Sequence, residues 1–134
     1  MLNLLEKNKI SLVYIPLCLY WILIFVLTTL PSDSLPGIGA SDKINHLLAY
    51  FGLGVLLKLS LDFQTKYPSL KKRSSIYTIV IGSIYGALDE IHQIFIPGRS
   101  CEFIDWVADV AGITIGVFIV ILIYKIELKK IRKI

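Results

Sequence analysis

A chain of 134 residues, 55% hydrophobic and only 18% charged, with a mean hydropathy of +0.71, is long enough for one domain and too apolar for an ordinary soluble one. Its net charge of +4 sits beside hydrophobic runs rather than on a soluble helix or strand, which points to an anionic leaflet and away from nucleic acid. Two cysteines, Cys18 and Cys101, are too few for a disulfide framework and are read as free thiols.

The first element is an apolar run over 10–30 without a charge, the length that a helix needs to cross a bilayer. It ends in "TTLPSDS" with no small-x-small cleavage site, so it reads as a retained anchor rather than a cleaved leader. Further spans are expected at about 42–61, 74–96 and 104–124, each bounded by charge, Pro or Gly. The expectation is an all-α, integral membrane four-helix bundle forming one domain over 1–134, without internal repeats or long linkers. Of the 14 Lys and Arg residues, only Lys43 and Arg99 fall on the side that holds the loops "PSDSLPGIGAS" and "IPGRSCEF". That bias predicts cytoplasmic termini and a cytoplasmic middle loop, with those two loops outside. Lys58 is expected to snorkel at the inner end of the second span. Pro36-Gly37 and Pro97-Gly98 suit type II turns. The tail "YKIELKKIRKI" reads either as a short amphipathic anchor on the inner leaflet or as a frayed basic end.

Helix periodicity gathers the polar residues onto stripes. Gly82, Gly86, Asp89 and Gln93 share one face of the third span, Asp105, Ala108, Asp109, Gly112 and Gly116 one face of the fourth, and Asp42, Asn45, His46, Ala49 and Tyr50 a similar stripe of the second. Both GxxxG pairs suit close helix contact in lipid, within the chain or between copies in an oligomer. His46, Asp89 and Asp109 lie roughly 7 to 11 Å inside the outer ends of their helices. The acids can therefore meet Lys43 and His46 in one polar pocket just beneath the outer surface. Ionisable groups there need compensation, which Arg99 forking across two carboxylates, Lys43 and a protonated His46 could supply. The inner halves of the spans look nearly free of charge. A divalent cation held by the acids is a further compensation left open, but its case is thin, since no HExxH or Cys/His spacing is present, and the motifs lead to no expected metal set and no cofactor.

The segments "SLPGIGASDKINHLLAYFGLGVLL" and "GALDEIHQIFIPGRSCEFIDWVADVAG" resemble the VanZ-like family of small bacterial membrane proteins. The motif residues are Asp42, Lys43, His46 and Tyr50, then Asp89, Glu90, Gln93, Pro97, Gly98, Arg99 and Asp105; the likeness runs from about 35 to 116. The family usually carries Asn where this chain has Asp109. The resemblance implies a multi-pass inner-membrane protein, and the founding member is linked to low-level resistance to the glycopeptide teicoplanin. It implies no reaction. The label of phosphate acyltransferase, sometimes attached to such proteins, finds no glycine-rich phosphate loop or strand here.

For His46 two roles stand open: a structural hydrogen bond to a neighbouring carboxylate, or proton transfer and ligand contact. Asp89 and Glu90 are adjacent and diverge by about 100° around a helix, so they do not form a catalytic clamp alone. The leading reading is an outward-facing site, built from Asp42, Lys43, His46, Tyr50, Asp89, Glu90, Gln93, Arg99, Asp105 and Asp109, for an envelope lipid or glycopeptide-related ligand such as a lipid-linked envelope precursor. Catalytic residues are not assigned, and the balance leans away from an enzyme. The alternatives are acid-base or metal-assisted hydrolysis or transfer on such a lipid, with Arg99 on its phosphate, a proton or ion path, and a structural bundle that binds a partner protein.

Overall fold

In a computed structural model, which describes residues 2–31 and 42–131, the chain is an all-α membrane bundle, and among the described residues there is no strand. Helix α1 (Leu2–Lys7) leads through one π-helical turn (Ile10–Tyr14) into α2 (Ile15–Thr29), followed by α3 (Asp42–Phe63), a short α4 (Pro68–Lys72), α5 (Ser74–Gln93) and α6 (Phe103–Ile131). The π turn has a local cause. Pro16 has no N–H and its ring would crowd the carbonyl four residues back, and the widened turn, closed by the Ile15 N–H on the Ile10 carbonyl, accommodates it. Among the described residues, three segments are long and apolar enough to cross a membrane: Ile10–Thr29, Asp42–Phe63 and Phe103–Lys129. Helix α5, of 20 residues, carries Asp89, Glu90, His92 and Gln93 in its last turns and packs among them. Its exposed Ile76, Val80, Ile84, Leu88 and Ile91 form one apolar stripe, while the stripe through Gly82, Gly86, Asp89 and Gln93 is buried. That is the reverse of a soluble helix.

Helix α3 packs most extensively against α6, and small residues make this geometry feasible. A Cβ on Gly112 would collide with the Leu47 carbonyl, and one on Gly54 would lie 2.7 Å from the Ile113 carbonyl oxygen, so the two backbones touch. The α5 pair Gly82 and Gly86 likewise faces Ile113 and Asp109. Both glycine faces are thus filled within the chain. Between the ends of the bundle the core is apolar, with Leu53, Leu57, Ile113, Val117 and Val120 all buried.

Several expectations need correction. Helix α6 does not break at 124 but continues through the basic tail to Ile131, because "KIELKK" contains good helix formers and no Gly or Pro. At 29 residues it is about 43 Å long, longer than the ~30 Å hydrocarbon layer. Helix α5, expected as a third span to 96, ends at Gln93 and is not among the segments long and apolar enough to cross a membrane; Ile94, Phe95 and Ile96 form tighter turns on carbonyls three residues back, since Pro97 keeps its predecessor out of the helix. The Arg99 N–H then closes a turn on the Ile96 carbonyl at 3.1 Å with Gly98 at φ 74°, the type II geometry expected of Pro97-Gly98. The turn expected at Pro36-Gly37 and the basic residues Arg132 and Lys133 lie outside the described residues. Lys58 does not snorkel: it is 4% exposed, and with Asp62 and Ser74 it forms a charged cluster in the inner halves of the spans, which were expected to be nearly free of charge. Cys18 and Cys101 are free and exposed.

Candidate functional site

The N-terminal half of α3, the C-terminal turns of α5 and the start of α6 bring their polar stripes together at one end of the bundle. His46 Nδ1 lies 2.9 Å from Asp109 Oδ1 and 3.7 Å from Glu90 Oε1. The Tyr50 hydroxyl, one turn below His46 with its ring stacked 6.4 Å away, donates to Asp89 Oδ2 at 3.2 Å. Glu90 is held from its other oxygen, which accepts the Glu102 backbone N–H at 2.9 Å. His46, Tyr50, Asp89, Glu90, Gln93, Asp105 and Asp109 are all buried. Gly86 makes this convergence feasible, since a Cβ there would stand 2.9 Å from Asp109 Oδ2. The divergence of Asp89 and Glu90 is resolved by different partners: Tyr50 for one, His46 and the α6 start for the other.

The cations occupy a second layer. Lys43 donates to Glu102 at 2.9 Å and stands 3.2 Å from Asp105. Glu102, in the loop before α6, also accepts from Ser100 at 3.3 Å; the hydrogen bond and charge of Lys43, followed by the Ser100 bond, hold its carboxyl below the usual carboxylate range. Arg99 departs from the expectation that it forks across two carboxylates. Its Nε and Nη2 donate to the carbonyls of Leu30 and Leu27 at 3.4 and 3.3 Å, and its nearest carboxylate oxygen, on Asp42, lies 3.9 Å from Nη1. A planar donor fork beside the unsatisfied C-terminal carbonyls of α2 is favoured by both hydrogen bonding and the helix dipole.

Between α2 and α3 a cavity of about 300 Å³ is lined by Ile24, Leu27, Thr28, Leu48, Ala49 and Tyr50, with Asp42, Asn45, His46 and Arg99 contributing its polar part. Of the sequence-predicted residues, Asp42, His46, Tyr50 and Arg99 line this cavity. Asp89, Glu90 and Asp109 stand behind it, joined through Tyr50 and His46; Lys43 and Asp105 form the neighbouring ion-pair layer; Gln93 is buried at 2% exposure.

Sequence reasoning missed the α2 contribution. Ile24, Leu27 and Thr28 form part of the cavity wall, yet nothing in an uncharged apolar run marks them. It also missed Tyr85, whose ring lies 6.0 Å from Tyr50 and 5.2 Å, edge-on, from Trp21. At the opposite end, Lys58 meets both oxygens of Asp62 at 2.6 Å and Ser74 at 3.0 Å, and lies 5.8 Å over the Tyr124 ring. The four-residue spacing of Lys58 and Asp62 was the readable signal for that pair. His92 is not part of the cavity; it stacks on Phe25 and lies 3.3 Å from the Thr29 hydroxyl.

A family model described as VanZ/LLP1 matches residues 11–124, which takes in α2 through most of α6 and every residue of the polar cluster. The chain is 29% identical over 93 residues to the uncharacterized protein C11E3.10 of Schizosaccharomyces pombe, an alignment that covers 69% of this chain and 54% of that protein. The chain therefore aligns with about half the length of that curated relative. No solved structure matches.

Proposed function

The chain belongs to the VanZ/LLP1 family, and from that premise we propose that it is a multi-pass protein of the cytoplasmic membrane that binds an envelope lipid at an outward-facing site. The carrying observation is the cavity between α2 and α3. Apolar walls with an Arg, an Asp and a His at one end match an amphiphile whose anionic or sugar head lies at the membrane interface. At about 300 Å³ the cavity stands at the small end of ligand pockets. It suits a headgroup and the first part of a chain and is too small for a whole glycopeptide, so a link to teicoplanin resistance would run through the lipid rather than through the drug. The outward orientation rests on the positive-charge bias. A partner-binding role through the glycine faces is less favoured, because neighbouring helices already fill them.

A second reading, acid-base hydrolysis or transfer on the same lipid, is favoured by one observation: His46 lines the cavity and is hydrogen-bonded to Asp109 behind it, the arrangement of an oriented base. One experiment separates the readings. The full chain in nanodiscs would be offered a long-chain polyprenyl phosphate, with phosphatidylglycerol as comparison, and binding and product would be followed by mass spectrometry. Saturable binding that Leu27→Trp abolishes, without product, supports the lipid site. Turnover lost in His46→Gln supports the second reading, and binding unaffected by Leu27→Trp would overturn the assignment of the cavity.

A further inference from the structure

Asp89, Glu90 and Asp109 are 4%, 3% and 0% exposed, and buried carboxylates need a counter-charge or a proton. Lys43 faces Glu102 and Asp105, and Arg99 faces the α2 carbonyls and Asp42. Among the described residues no Lys or Arg nitrogen comes within ion-pair distance of Asp89, Glu90 or Asp109. Tyr50 gives Asp89 a hydrogen bond but no counter-charge. For the other two acids the convergent group is His46 Nδ1, at 2.9 Å from Asp109 and 3.7 Å from Glu90. Two of their oxygens, Glu90 Oε1 and Asp109 Oδ2, are fully buried without a hydrogen-bond partner among the described residues. One ligand atom each from His46, Glu90 and Asp109 lies within 4.8 Å of the others.

We propose that His46, Glu90 and Asp109 form a binding site for one divalent transition-metal cation of the zinc or manganese kind. The donor set is one imidazole nitrogen and two carboxylates, which suits such ions better than magnesium or calcium, whose sites are built from oxygen alone. A doubly charged ion beside a neutral imidazole balances two carboxylates, which one imidazolium does not. The Glu102 N–H on the far oxygen of Glu90 orients that ligand from behind, as outer-shell partners do. Motif spacing could not disclose the site, because its donors come singly from α3, α5 and α6. A neighbouring trio of Asp42, His46 and Asp105 shares the histidine, but Asp105 already faces Lys43 and Asp42 is exposed. The inference stands apart from the lipid reading, and its test contains no lipid ligand.

The full chain, purified in detergent, stripped with chelator and desalted, would be titrated with zinc or manganese alone, with magnesium as control. Retained metal would be measured by mass spectrometry and thermal unfolding would be followed in parallel. The expected result is one retained equivalent per chain and a rise in melting temperature, because the ion bridges three helices and binds the folded state. Glu90→Gln and Asp109→Asn should each weaken affinity at least tenfold, whereas Asp105→Asn should not. Wild-type protein that retains no stoichiometric metal overturns the proposal, as does retention lost in Asp105→Asn and kept in the other two. Should Asp109→Asn fail to fold, Glu90→Gln and the wild-type titration decide.

Discussion

At the α3 C-terminal end, Lys58 meets both oxygens of Asp62 and the Ser74 hydroxyl, and Ser74 in turn donates to Asp62 at 2.5 Å. At the other end Glu90 and Asp109 each keep one buried oxygen without a hydrogen-bond partner among the described residues, around a single histidine. Both carboxylate oxygens of Asp62 are met, whereas Glu90 and Asp109 each have coordination to spare. Buried polar groups are normally satisfied, and leaving them short costs stability. The Asp62 carboxylate therefore needs no ligand to explain it, whereas the Glu90 and Asp109 carboxylates carry the cation site proposed above. The apolar core through Leu53, Leu57 and Ile113 separates the two, which also argues against a continuous proton or ion path between them.

Breaking the Lys58–Asp62 pair should have the largest effect. Lys58→Met leaves Asp62 without its cation in a place where its side chain is only 12% exposed, and the expected loss is about 3–5 kcal/mol, the usual penalty for orphaning a buried charge. Replacing both partners, Lys58→Met with Asp62→Leu, should restore most of it, because a matched apolar pair is close to neutral. Unfolding of the detergent-solubilised variants, followed by tryptophan fluorescence, measures both. A double variant as unstable as the single one would show that the Lys58–Asp62 pair is not the source of the loss.

The frame that holds both clusters comes next. In Gly112→Ala a methyl group meets the Leu47 carbonyl and lies 2.8 Å from the Phe51 nitrogen, backbone atoms that cannot step aside as a side chain can. We expect a loss of about 1–3 kcal/mol from overpacking, together with weaker metal retention, since α3 and α6 carry His46 and Asp109. An unchanged melting temperature would show that this helix contact is looser than the glycines imply.

How much of this was legible in the sequence follows from what periodicity encodes. The stripes of Asp42, His46 and Tyr50, of Asp89 and Gln93, and of Asp105 and Asp109 were readable, because small and polar residues recur at helical spacing in otherwise apolar runs and the glycines mark the close faces. The Pro97-Gly98 turn was readable for a similarly local reason. Arg99 was misread because its partners are backbone carbonyls of α2, which no side-chain pattern announces. Lys58 was misread because a long side chain near a helix end can reach for water or turn inward, and only packing brings Ser74 of α5 beside Asp62. The length of α6 was underestimated because the end of an apolar run is not the end of a helix. The cavity wall from α2 left no trace, since a lipid-facing leucine and a cavity-lining one are the same residue.

At the Glu90 and Asp109 carboxylates the sign of the effect should reverse. In metal-free detergent solution Glu90→Gln removes one of the buried carboxylates that crowd His46 while keeping an acceptor for the Glu102 N–H. Relief of an uncompensated charge should raise stability by about 0.5–2 kcal/mol, the gain commonly found when a functional site is relaxed. Added zinc should then narrow or cancel the advantage, because it stabilises the wild type more than the variant. A Glu90→Gln protein less stable than wild type without metal would mean that these carboxylates are as fully met as that of Asp62, and the contrast between the two ends would fail.

The smallest effect belongs to the exposed rim of the same end. Lys43 and Glu102 are 42% and 48% exposed along their side chains, and exposed pairs are weak and screened by salt. Glu102→Gln should therefore leave the melting temperature unchanged at physiological salt and lower it slightly only at low ionic strength. The sign with pH follows from the lowered carboxyl pKa: whatever the pair contributes is present above the unfolded glutamate value of about 4.3 and is lost as the pH falls through the folded one. Because the Glu102 backbone N–H rather than its carboxylate holds Glu90, metal retention should survive the substitution. A marked loss of metal in Glu102→Gln would show that the rim charge, and not the buried trio alone, sustains the cation site.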